Sequence, residues 1–74
     1  MKFERITINH KQMGGVPCIR GLRIPVSTVV GLVADSMSIP EILKAYPDLT
    51  EEDVQESLYY AAQTVLELEL PSAS

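Results

Sequence analysis

The spacing of apolar and polar residues changes once along the chain, at Pro25, dividing it into an extended front and a helical remainder. Phe3-Glu4-Arg5-Ile6-Thr7-Ile8 mixes β-formers with rough alternation and predicts a short strand. Gly14-Gly15 predicts a turn that needs backbone freedom. Positions 16–19 and 22–24 read as two short extended pieces around a tight turn at Arg20-Gly21. Pro17 has no N–H to give to a ladder, which places that piece at a sheet edge. The β element so predicted covers about 3–24.

Pro25 suits the first turn of a helix, where its missing N–H would be unpaired anyway. From there Val26, Val29, Val30, Val33 and Met37 fall on one stripe, predicting a helix over about 26–36. Ser38-Ile39-Pro40-Glu41 is a capping box with proline in the first turn. It opens a helix over 39–45 that buries Ile39, Ile42, Leu43 and Tyr46 and stops before Pro47. Thr50-Glu51-Glu52-Asp53 repeats the capping pattern with Asp in place of Glu and opens a helix over 51–70. Its core stripe is Val54, Leu58, Ala61, Ala62, Val65 and Leu68, while Tyr59, Leu66 and Leu70 make a second stripe around the barrel of the helix. Three helices, with a short second one turning tightly into a longer third, resemble a helix-turn-helix. The fold class expected is mainly α, one domain over 1–74, behind a short N-terminal β element.

Seventy-four residues make a thin core, and chains of this size usually add a disulfide, a metal or an interface. Cys18 is the sole cysteine and His10 the sole histidine, so neither a disulfide within the chain nor a four-ligand zinc site is expected. Association remains: a homodimer or partner interface is expected on Tyr59, Leu66 and Leu70, as apolar residues clustered on one exposed face mark contact surface. No export signal is read at the N-terminus, and the longest nearly apolar run, 29–34, is far too short for a bilayer. With a lone thiol, this suits a soluble protein of a reducing cytoplasm.

Charge is unevenly spread. Residues 1–24 carry Lys2, Arg5, Lys11, Arg20 and Arg23 against Glu4, a net +4, whereas 25–74 carry nine acids against Lys44, a net −8. Such asymmetry suggests two faces for different partners. No catalytic constellation stands out. His10 reads as a solvated loop histidine, Cys18 as a small buried hydrophobe, the acids of 48–56 as a solvated helix start, and Gly14-Gly15 lacks the Gly-Lys-Ser/Thr of a phosphate loop. No enzyme, cofactor or metal is expected. DNA binding by the chain alone is expected to be weak, because a recognition helix opening with Glu51, Glu52 and Asp53 meets phosphates with like charge. The candidate partner-binding residues are Arg20 and Arg23 at the turn. Arg23, running directly into Ile24-Pro25, is assigned the local role of bonding backbone; Arg20, at the turn itself, is assigned the binding role.

The stretch MGGVPCIRGLRIPVSTVVGLVADSMSIPEILKAYPDLTEEDVQESLYYAA resembles the domain-of-unknown-function 433 family. The family's GGxPxIxGxRIPV segment is matched by Gly14, Gly15, Pro17, Ile19, Gly21, Arg23, Ile24, Pro25 and Val26, and its later segment by Tyr46-Pro47-Asp48-Leu49-Thr50. Val16 stands where members commonly have Lys. The resemblance implies a homeodomain-like or winged-helix-like three-helix fold and a role as a VapB-like antitoxin, often encoded beside a PIN-like ribonuclease toxin. The function expected is neutralisation of such a toxin by direct contact, the alternative being a DNA-binding helix-turn-helix regulator. The family's motif residues are mostly glycines and prolines, so no catalytic residue is carried over.

Overall fold

Two residues of left-handed backbone start the fold. In the computed structural model, which describes residues 3–11 and 13–69, Arg20 (φ 44°) and Gly21 (φ 72°) are the central pair of a turn in which the Leu22 N–H donates to the Ile19 carbonyl at 2.7 Å. Two successive positive φ angles turn the chain in the sense that matches strand twist. Beyond the turn, Leu22 and Arg23 are set aside, Arg23 also at positive φ, and the Ile19 N–H reaches the Ile24 carbonyl at 3.0 Å. On its other side, strand β2 (Cys18–Ile19) pairs antiparallel with β1 (Ile6–Thr7), Ile6 opposite Ile19 and Thr7 opposite Cys18. With Cys18 also bridging Pro25, β2 is paired on both sides. The edge position expected for this piece is thus corrected: Pro17 lies one residue ahead of the strand, and its carbonyl accepts from the Val26 N–H at 3.0 Å. The Thr7 hydroxyl ties the turn to β1, accepting from the Gly21 N–H at 3.0 Å and donating to the Cys18 carbonyl at 3.4 Å.

Helix α1 (Val26–Ala34) follows directly, with Pro25 at its N-cap rather than inside its first turn. It is two residues shorter than its periodicity predicts because a serine ends it. Ser36 takes φ 69°, its N–H bonds the Val33 carbonyl, and the Met37 N–H bonds the Leu32 carbonyl at 3.1 Å. That is the paired closing bond of a helix end usually built on glycine. Gly31, in the middle of α1, is exposed, and a Cβ there would meet nothing within 4 Å. It costs the helix about 1 kcal/mol relative to alanine.

Helix α2 (Ile39–Ala45) opens on the expected reciprocal cap: the Glu41 N–H donates to Ser38 Oγ at 3.3 Å and the Ser38 N–H to Glu41 Oε1 at 2.8 Å. The Ser38 backbone N–H, and then its hydroxyl, hold the Glu41 carboxyl below its ordinary pKa. Helix α3 (Glu51–Glu69) opens the same way, with Asp53 N–H on Thr50 Oγ1 and Thr50 N–H on Asp53 Oδ2 at 2.9 Å. The core is Ile19, Val26, Val29, Ile42, Leu49 and Val54, one or two residues from β2 and from each helix with Leu49 from the turn ahead of α3, and Ile6 of β1 packs against it. The fold is the mainly α three-helix arrangement behind a short β hairpin that the pattern predicts.

One part of the pattern is corrected. Only the N-terminal part of α3 is covered: Val54 is buried and Leu58 and Ala61 half-buried, but 62–69 are all exposed. Val65 is 52% and Leu68 76% exposed although both continue the Val54–Leu58–Ala61 stripe, and Ala62 is exposed too. Nine-residue α1 is too short to cover a nineteen-residue helix along its length. The Cα radius of gyration, 13.0 Å, reflects the overhang, since a compact chain of this length has about 11 Å.

Candidate functional site

Asp53 sits at the centre of the polar structure. Its side chain is fully covered, and its carboxylate accepts from Arg20 Nε at 3.1 Å, Arg20 Nη2 at 2.9 Å, Arg5 Nη1 at 3.2 Å and the Thr50 N–H. Arg20 Nη2 also donates to the Asp48 carbonyl at 2.7 Å, and the Arg5 N–H to Glu56 Oε2 at 2.6 Å. Burial alone would raise the Asp53 pKa. The Arg20 hydrogen bonds, the Thr50 N–H, the Arg20 charge and Arg5 together outweigh it, and the carboxyl titrates below its ordinary value. Reciprocally, the hydrogen bond and then the charge of Asp53 raise the Arg20 pKa. A sequence reading that treats Asp53 as part of a solvated helix start misses this node. Capping accounts for its backbone bonds but says nothing of two arginines arriving from 33 and 48 residues away.

The structural role assigned to Arg23 therefore falls to Arg20. Arg20 holds the fold, with its side chain 38% exposed above the carboxylate. Arg23 also has a left-handed backbone, φ 63°, but is exposed and has no hydrogen bond or ion pair among the described residues. Part of the charge asymmetry likewise closes inside the chain, since Arg5 and Arg20 from the basic front meet Asp53 from the acidic remainder.

Tyr59 and Leu66, expected at an interface, are both exposed; Leu70 lies outside the described residues. Neither Tyr59 nor Leu66 lines the apolar groove of about 450 Å³ between α1 and α3, whose walls include Val26, Val30, Gly31 and Ala34 on one side and Ala61 and Val65 on the other. Tyr60 closes one flank, its ring set edge-on against Phe3 at 5.2 Å between centroids. Cys18 is buried, with its thiol on the Val16 carbonyl, and His10 is exposed beside Gly15. Among the described residues, no group of three or more His, Cys, Asp or Glu is placed to hold a metal, and no helix is long and apolar enough to cross a membrane.

Comparison with known proteins places this architecture. The chain is similar to a crystal structure of a DUF433 member protein from Anabaena variabilis, with a TM-score of 0.78 and 33% identity over 95% of this chain and 69% of that one. It is also 36% identical over 58 residues to the uncharacterized protein y4eO of Sinorhizobium fredii, a match covering 78% of this chain but 26% of that protein. The chain thus spans about a quarter of the length of this curated relative. Residues 6–61, from β1 to the point where α3 leaves the core, match the model of the family described as protein of unknown function (DUF433), and the chain belongs to that family.

Proposed function

We propose that the domain acts by binding another protein, as the antitoxin-type partner that neutralises a PIN-like ribonuclease. The observation that supports protein binding is the overhang of α3, where the core stripe continues through Val65 and Leu68 after the rest of the fold has ended. Each Å² of apolar surface removed from water is worth about 25 cal/mol, and no other described residue covers that stripe. The nature of the partner rests on the family resemblance. Active sites of PIN-type nucleases gather carboxylates around a divalent metal, and of the two turn arginines Arg23 is the one whose guanidinium is uncommitted among the described residues. The DNA-binding alternative has the helix order but the wrong charge, with Glu51 and Glu52 exposed at the start of α3.

The test is co-expression with the product of an adjoining PIN-like open reading frame, followed by an RNA-cleavage assay on the purified pair. Co-purification with cleavage abolished is the expected result. A nuclease that stays fully active in an excess of this chain would sink the proposal.

A further inference from the structure

We infer that the groove between α1 and α3 is the docking site for an amphipathic helix with basic flanks, supplied by another protein chain. The inference deepens the protein-binding reading above and rests on it. Three observations converge on the groove. Its walls carry short side chains, Gly31, Ala34 and Ala61 among them, so an incoming helix can bring its backbone close and seat larger apolar side chains between Val30 and Val65. Gly31 has ordinary helical backbone and open space where a Cβ would stand. Nothing among the described residues requires glycine there, whereas a second backbone passing close over α1 would use the space that glycine leaves.

The third observation is charge. Helix α1 has no charged residue and runs into Asp35 directly after the groove wall Ala34; on α3, Glu67 lies two positions past the groove wall Val65, beside Tyr60 and Thr64, which also line the groove; no lysine or arginine follows Lys44 in the sequence. An apolar strip in an acidic setting selects an occupant with cations beside its apolar face. A second copy of this chain fits poorly. Laying α3 on α3 brings Glu67 of each copy into the same acidic field. The basic front of a second copy has Arg5 and Arg20 already held by Asp53, and a head-to-tail contact through its remaining Arg23 does not close on itself.

The experiment uses the full chain and two synthetic helical peptides of about 18 residues, roughly five turns, with the same leucine face and with flanks of either lysine or glutamate. Binding is read by fluorescence anisotropy at low and at physiological salt. The lysine peptide should bind at least about tenfold tighter than the glutamate peptide, and the gap should narrow as salt rises. Gly31→Trp should weaken the lysine peptide by about tenfold or more, while Gly31→Ala should melt higher than the parent chain. Should Gly31→Trp not fold, Ala34→Lys at the exposed end of the groove should weaken the lysine peptide and strengthen the glutamate one. Equal binding of the two peptides, or indifference to the groove substitutions, overturns the inference. So does a dimer that the groove substitutions dissociate, since the occupant would then be a second copy. A nuclease that co-purifies with the groove variants as with the parent chain overturns the groove assignment and leaves the protein-binding proposal standing. Peptide selectivity without any nuclease inhibition keeps the groove assignment and overturns the antitoxin reading.

Discussion

Replacing Asp53 by alanine should lower stability far more than a residue of the first helical turn ordinarily does. Breaking a buried ion pair by removing one partner costs about 3–5 kcal/mol when the surviving charge stays buried. Here the survivors are Arg5 and Arg20, whose side chains are 37% and 38% exposed and can turn to water, which reduces the ionic part to about 1–2 kcal/mol. Loss of the reciprocal cap, which leaves the Thr50 N–H without its acceptor, adds about 1 kcal/mol. The expected loss is about 2–3 kcal/mol. In a domain of this size that is about 10–20 °C in Tm, out of a total stability on the order of 4–11 kcal/mol. Thermal and urea melts followed by circular dichroism at pH 7 measure it. The pH dependence gives a second reading. Because folding lowers the Asp53 pKa, its contribution is complete above the ordinary carboxyl value of 3.8 and is lost as pH falls through the depressed folded value. The parent chain should therefore destabilise more steeply than Asp53→Ala as pH drops from about 4 toward 2, and the two should converge. A Tm drop at pH 7 of less than about 4 °C, or parallel acid profiles, would refute the account of the node.

Two further outcomes follow from the geometry. Arg20→Ala should lower Tm clearly, whereas Arg23→Gly, which relieves a left-handed backbone at φ 63°, should be neutral or stabilising by up to about 1 kcal/mol in the same melts; the opposite order would restore the roles read from sequence. Leu68→Ser should change stability by no more than about 0.5 kcal/mol, as expected of an exposed position and unlike the several kcal/mol of a core leucine.

The parts of the fold legible in the sequence are those with a local chemical signature. Helices α2 and α3 begin at the residues their caps mark, because Ser38–Glu41 and Thr50–Asp53 satisfy backbone donors only three positions away. The end of α1 is less legible, since pattern reading looks for glycine at a left-handed closing position and the chain uses Ser36. The structural role of Arg20 is hidden for the same reason: no residue-type preference announces an arginine at φ 44° or 63°. The overhang of α3 was legible in principle. Predicted lengths of eleven and twenty residues for the first and third helices already imply that one stripe outruns its cover, whereas periodicity alone reports the stripe and not what lies against it. Least visible was the Asp53 node, because long-range pairing of charges leaves no trace in spacing.

A chain with a single cysteine has no covalent means of tying its front to its back, yet residues 5 and 20 are tethered to residue 53 through one carboxylate. The two tethers close loops of 48 and 33 residues, spans over which a disulfide would restrict the unfolded chain by a few kcal/mol. An ionic tether leaves the unfolded chain unrestricted and acts only on the folded one, so it adds no topological memory and re-forms on every refolding. It is also indifferent to thiol chemistry. Oxidant and reductant alike leave it intact, while acid, which a disulfide withstands, undoes it. The cross-link of this small domain is thus governed by protons rather than by electrons.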